Sequence, residues 1–170
     1  NGKVWYPMGE GPFPLVLMVH GKHADRDFSD PGYDYLVRHF ESHGIFAVTV
    51  DENFLNGAWH DSFGELQTEN DCRGWLLLKH LELWREWNRS ESSAFCDKVD
   101  MDRIVLIGHS RGGEAVSIAA AFNILPLYPD NAEEVFDFDF GIRGIAAIAP
   151  VDGQYWPAGT ATPLKDVNYF

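Results

Sequence analysis

The segment Gly108–Gly112, with the sequence GHSRG, constrains the fold of this chain more than any other feature. Before it, residues 103–107 form an apolar run that predicts a buried parallel strand. After it, residues 114–123 are rich in alanine, which predicts a helix. A serine between two such elements, with a glycine two positions away on each side, fits a sharp turn that raises the Ser110 hydroxyl above the sheet edge. We interpret Ser110 as a nucleophile; the alternative is a serine that only caps the helix.

Apolar runs and helical patterns alternate along the rest of the chain. Further strands are predicted at residues 15–19, 45–50 and 142–149, further helices at residues 33–42 and 65–87, and a turn-rich connection at residues 126–141. The long helix is expected to bury a stripe made of Leu76, Leu77, Leu81, Trp84 and Trp87. This alternation predicts an α/β fold, with a mostly parallel sheet and helices on both faces, in a single domain over residues 1–170.

The charge of the chain limits its partners. The 170 residues carry a formal net charge of −13, which argues against nucleic acids and anionic membranes. No apolar run approaches the roughly 20 residues that a membrane-spanning helix needs. Cys72 and Cys96 are too few for a disulfide scaffold and lack metal-ligand spacing, so they could pair or remain two buried thiols. The sequence predicts no metal site.

Residues 20–23, with the sequence HGKH, end the first strong strand at the sheet edge where Ser110 is expected. Acyl transfer places negative charge on a carbonyl oxygen, and each preorganised backbone N–H donor there is worth about 3–4 kcal/mol. One donor is expected from Arg111 and the other from Lys22, with Gly21 as the alternative to Lys22. The segment could also be a plain strand-ending turn. Three histidines are expected to line the pocket rather than act as the base: His20, His23 and His109.

The acidic partner of the serine has two predicted positions. Asp152 follows the last long strand, where some serine hydrolases place this carboxylate, whereas others place it one strand later, beyond Phe170. Asp152 could also be a turn residue chosen for its conformation. Asp166 precedes the final strand instead of following it and fits the role less well. Glu114 lies in the first turn of its helix, where the helix dipole favours a carboxylate. The alternative is that Glu114 pairs with Arg111.

All histidines precede Ser110, at positions 20, 23, 39, 43, 60, 80 and 109. Because the usual chain order is serine, acid and then histidine, the base is expected to lie outside this chain. Residues 167–170 resemble the opening of another strand, and residues 4–7 resemble the tail of one. We therefore expect the chain to be part of a longer hydrolase, and we expect residues 1–170 alone to hydrolyse esters weakly or not at all. Exposed sheet edges would then favour self-association.

The runs VHG at residues 19–21 and GHSRGGE at residues 108–114 resemble the α/β-hydrolase superfamily, and within it esterases similar to chlorophyllase, dienelactone hydrolase and platelet-activating-factor acetylhydrolase. The resemblance covers nearly the whole chain and implies an α/β-hydrolase fold that is incomplete at its C-terminal end. It implies a nucleophile at Ser110, oxyanion amides at Lys22 and Arg111, and no cofactor. A small-molecule carboxylic ester is the implied substrate, hydrolysed through an acyl-enzyme. Two alternatives stay open: a binding module without activity, and an acyltransferase.

Overall fold

A computed structural model describes residues 2–24, 26–27, 29–56, 69–156 and 164–170. Its strands are β1 (Gly2–Trp5), β2 (Phe13–Val19), β3 (Phe46–Val50), β4 (Val99–His109), β5 (Leu127–Tyr128), β6 (Asn131–Val135), β7 (Ile142–Ile148) and β8 (Asn168–Tyr169). Its α-helices are α1 (Asp34–Ser42), α2 (Glu69–Arg89) and α3 (Arg111–Phe122). Short 3₁₀ helices span Asp30–Tyr33 and Asn53–Asn56.

Within the described ranges, six strands form one sheet in the order β1-β3-β2-β4-β7-β8. The edge strand β1 runs antiparallel to β3, and every other pair in this sheet is parallel. The register pairs Val19 with Gly108, and His109 with Ile148. The carboxyl ends of β2, β4 and β7 therefore meet at one edge, where α/β sheets place their ligand sites.

Helices cover both faces of the sheet, as the alternation of strands and helices predicts. Successive side chains of β2 point to opposite faces. Val16 and Met18 pack with Val37 of α1 on one face. Leu15 and Leu17 pack on the other face against residues of α2 and α3. The sheet thus lies between two apolar cores, one under the helices on each face, which confirms the predicted α/β class.

Helix α2 buries a stripe slightly different from the predicted one. Leu77, Leu81 and Trp84 are buried, but Trp87 is 40% exposed and lies edge-on to Trp84 at a centroid distance of 4.9 Å. Leu78 is fully buried, whereas the predicted Leu76 is only partly buried. The buried face is centred between positions 77 and 78, so it is rotated about the helix axis relative to the predicted stripe. The predicted helix start at residue 65 lies outside the described residues.

The connection predicted to be turn-rich contains the hairpin β5–β6, followed by an extended stretch. In that stretch Phe136, Phe138 and Phe140 are buried at alternate positions, as in a strand with one face on a core. The cysteines are both free; Cys72 is exposed, so neither a disulfide nor a pair of buried thiols forms. Among the residues that the structure describes, no helix is long and apolar enough to cross a membrane.

Strand β8 forms one edge of the sheet among the described strands. Tyr169 and Phe170 at this edge are 54% and 77% exposed. An edge strand offers unpaired backbone groups to another chain. Self-association through this edge stays a prediction.

Candidate active site

Ser110 occupies a strained turn between β4 and α3. Its backbone adopts φ 55° and ψ −118°, a conformation that costs a residue with a side chain about 1–3 kcal/mol. Both flanking glycines lie where a side chain would not fit. A Cβ atom at Gly108 would overlap the carbonyl oxygen of Gly112, and one at Gly112 would lie 2.7 Å from the carbonyl oxygens of Val19 and His20. The local sequence therefore has the glycines that this turn requires.

Backbone hydrogen bonds fix the turn to its neighbours. The Ser110 N–H donates to the carbonyl oxygen of Ile148 in β7 at 3.0 Å. The Ser110 carbonyl accepts from the N–H of Gly113 at 2.9 Å and from the N–H of Val151 at 3.1 Å. The serine is thus tied to the end of β7, to the following loop and to the first turn of α3.

The segment after β2 passes directly against Ser110. A Cβ atom at Gly21 would lie 2.7 Å from Ser110 Cβ and 3.3 Å from Ser110 Oγ, so only glycine leaves this space open. Lys22 follows and is exposed. On the other side, Arg111 is the first residue of α3, so its N–H has no acceptor within the helix. The structure thus packs Gly21 against Ser110, while Arg111 is its neighbour in the chain and Lys22 directly follows Gly21.

His20 holds the loop after β2 in place. Its ring is buried: Nδ1 donates to the Gly21 carbonyl at 2.8 Å, and Nε2 accepts the Glu52 N–H at 3.0 Å. Both contacts fit a neutral ring with its proton on Nδ1, and burial lowers the pKa of His20. Because Nε2 already accepts a hydrogen bond, this ring has no free acceptor for a proton from Ser110.

The other two candidate histidines also lie near this edge of the sheet. His23 is partly buried, with Nε2 3.2 Å from His20 Nδ1, and His109 is exposed at the end of β4. In the described part of the chain, no hydrogen bond joins Ser110 Oγ to a histidine ring. Nor do the described residues contain a group of three or more His, Cys, Asp or Glu side chains that could hold a metal ion.

Asp152 lies in the loop after β7 and is exposed. Its neighbour Val151 donates to the Ser110 carbonyl, so the backbone of Asp152 is held close to the turn. Asp166 is also exposed and precedes β8, with a φ of 54°. The structure thus places Asp152, and not Asp166, beside the nucleophile turn, while its role as the acid stays a prediction.

Comparison with known families agrees with this fold. The family model described as Chlorophyllase matches residues 3–163, nearly the whole chain. The chain belongs to the chlorophyllase family. This family lies within the α/β-hydrolase superfamily, which indicates a hydrolase of that kind. A comparison with curated proteins gave no match.

A buried ion network joins α2 to α3 in this chlorophyllase-family protein, and the sequence did not predict it. Arg73, fully buried, donates to a Glu52 carboxylate oxygen at 3.1 Å and to Asn56 Oδ1 at 2.5 Å. It also pairs at 3.4 Å with Glu69, which accepts a second ion pair from Arg111. Burial raises the pKa of Glu52 to about 8, while the Arg73 guanidinium acts in the opposite direction.

The alternative in which Glu114 pairs with Arg111 is wrong, because the Arg111 guanidinium binds Glu69 instead. Glu114 is buried, and one of its oxygens accepts the backbone N–H groups of Gln154 at 2.8 Å and Tyr155 at 3.2 Å. Its other oxygen accepts a hydrogen bond from the Asn70 side chain. A carboxylate in the first turn of a helix is also favoured by the helix dipole, as the sequence predicts.

The sequence does not indicate that the polar residues at the start of α2 are buried. Residues 69–71 read as an ordinary polar start to a helix, because acids and amides favour the first turn for electrostatic and capping reasons. Arg73, directly before the apolar stripe, is the one feature that could have suggested a buried ion pair. Its partners Glu52 and Asn56 lie 21 and 17 positions away, so the sequence alone does not identify them.

Proposed function

We propose that this protein is a serine-dependent carboxylic-ester hydrolase that acts through an acyl-enzyme on Ser110. One observation carries the proposal: Ser110 holds a positive φ at a strand-to-helix turn, with the Gly21 backbone packed against its side chain. Strain of this kind persists where the surrounding structure enforces it, and it concentrates at active sites. Membership of the chlorophyllase family supports hydrolase chemistry of the α/β-hydrolase kind.

The proposed reaction has two half-reactions. Ser110 Oγ attacks the ester carbonyl carbon, and the carbonyl electron pair moves to oxygen to form a tetrahedral oxyanion. The backbone N–H groups of Arg111 and of Lys22, or of Gly21 in place of Lys22, donate to that oxyanion. The carbon–oxygen bond to the alcohol breaks, the alcohol leaves with the proton taken from Ser110, and water then hydrolyses the acyl-serine by the same route.

The proton relay needs an acid and a base in addition to Ser110. Asp152 is the candidate acid, because its loop is bonded to the Ser110 carbonyl. The base in this order of residues is a histidine that follows the acid. No histidine follows Ser110 in residues 1–170, so we propose that Ser110 in this chain needs an added base to react at an appreciable rate.

A fluorophosphonate probe tests the nucleophile directly. With imidazole supplied as a soluble base, we expect one covalent adduct, mapped by peptide mass spectrometry to Ser110 and absent from the Ser110→Ala variant. Ser117→Ala is the matched control, because Ser117 lies on the same helix and donates to the Gly113 carbonyl at 3.3 Å. An adduct at another serine, or one that survives in Ser110→Ala, would contradict the proposal.

A further inference from the structure

One buried carboxylate near the nucleophile has no part in the proposed reaction. Glu114 lies four positions after Ser110 on α3 and is 8% exposed. Among the ion pairs of the described residues, none includes Glu114, because Arg111 is engaged by Glu69. A buried carboxylate without a cation is stable only where hydrogen-bond donors replace its water. The groups that donate hydrogen bonds to Glu114 therefore show which parts of the structure its carboxylate fixes in place.

Two of those donors belong to the loop that carries the candidate acid. Glu114 Oε1 accepts the Gln154 N–H at 2.8 Å and the Tyr155 N–H at 3.2 Å. At its other end, the same loop donates the Val151 N–H to the Ser110 carbonyl at 3.1 Å. Asp152 lies between these two attachment points. The loop is thus bound to the nucleophile turn at one end and to the nucleophile helix at the other.

A third donor fixes the orientation of the carboxylate itself. The Asn70 side-chain amide, from α2, donates to Glu114 Oε2. The same amide donates to Gln154 Oε1 at 3.2 Å. Asn70 therefore keeps Glu114 Oε1 directed at the loop, and it contacts the loop as well.

We propose that Glu114 is a positioning residue that sets the place of Asp152 relative to Ser110, with Asn70 holding its carboxylate in register. The inference rests on the proposed function, because that proposal gives Ser110 and Asp152 their catalytic roles. Hydrogen bonds to an ionised acceptor are about twice as strong as neutral ones, so one carboxylate can order a short loop. The role needs no contact between Glu114 and the substrate.

Amide hydrogen exchange at Gln154 and Tyr155 tests whether Glu114 holds the loop. In Glu114→Ala we expect exchange at these two amides to be about ten- to a hundredfold faster, because each loses a bond to a charged acceptor. Exchange in the central strand β4 should stay unchanged and so report an intact fold. Ser117→Ala, one turn along the same helix, is the matched control and should leave both amides as in the wild type.

A paired substitution keeps the test decisive if Glu114→Ala does not fold. In Glu114→Gln the new side-chain amide faces the Asn70 amide, so two donors oppose each other and exchange at Gln154 and Tyr155 should quicken. Adding Asn70→Asp restores an acceptor opposite the new amide but removes the Asn70 donor to Gln154 Oε1, so exchange should return part of the way towards the wild-type rate. If the double variant exchanges no more slowly than Glu114→Gln alone, the proposed orientation by residue 70 is wrong.

The labelling rate of Ser110 separates positioning from a purely structural role. With imidazole present, we expect Glu114→Ala to lower the maximal rate at least tenfold, with the probe concentration for half-maximal rate unchanged, and the double variant to recover part of it. Wild-type exchange at both amides in Glu114→Ala, or faster exchange with unchanged labelling, would overturn the inference. Failure of the wild-type protein to label at Ser110 would overturn the proposed function instead, while the exchange rates would still show whether Glu114 holds the loop.

Discussion

Gly108→Ala is expected to destabilise the fold by about 3 kcal/mol and to abolish labelling of Ser110. The added Cβ would overlap the carbonyl group of Gly112, which is backbone in the first turn of α3. Backbone cannot move aside as a flexible side chain can, so the turn must open or α3 must shift. Urea denaturation measures the free energy of unfolding, and the fluorophosphonate adduct reports the state of Ser110.

The matched control for this substitution lies in the neighbouring strand of the same sheet. A Cβ atom at Gly144 in β7 would meet nothing closer than the Asn168 carbonyl oxygen at 3.5 Å, an ordinary contact. Gly144→Ala should change the free energy of unfolding by less than about 1 kcal/mol and leave labelling intact. If both variants lose the same stability and the same labelling, the close contact at Gly108 does not explain the effect of Gly108→Ala.

Arg73→Met is expected to destabilise the protein by about 3–5 kcal/mol, because it removes the cation from a buried network and leaves Glu52 and Asn56 without their donor, while Glu69 keeps Arg111. Arg73 and Glu52 are both fully buried. Thermal or urea unfolding of the variant measures the loss. The Met side chain keeps most of the apolar stem of the arginine, so the change reports chiefly on the charge.

Arg103→Met supplies the comparison, since Arg103 pairs with Asp100 at 2.6 Å but is 59% exposed. Exposed ion pairs contribute at most about 1 kcal/mol. If Arg73→Met is no more destabilising than Arg103→Met, the buried network does not stabilise the junction of α2 and α3.

The parts of the fold that local sequence determines are the parts that could be predicted. Continuous apolar runs identify β2 and β3 because strands buried on both faces need apolar side chains at every position. The turn at Ser110 is visible because its glycines must lie at fixed offsets from the serine. The neighbouring position of Gly21 followed from the expectation that parallel strands end at one edge of the sheet.

The contacts of the polar side chains could not be predicted, because they join residues far apart in the chain. Glu114 meets Gln154 and Asn70, which lie 40 and 44 positions away, and nothing in its local sequence favours them over its neighbour Arg111. Those partners depend on how α2 and the loop after β7 pack on α3. Phe136, Phe138 and Phe140 stand at alternate positions, a pattern typical of a strand with one buried face. Because turn-forming residues surround them, the sequence favoured a turn-rich connection instead.

The rate at which a fluorophosphonate labels Ser110, measured against imidazole concentration, tests the central claim most directly. On this account Ser110 is a preorganised nucleophile that needs an added base. We therefore expect slow labelling in buffer, a rate that rises with the concentration of unprotonated imidazole, and an adduct confined to Ser110. Rapid labelling without imidazole would contradict the need for an added base, and no adduct at Ser110 at any imidazole concentration would contradict the role of Ser110 as the nucleophile.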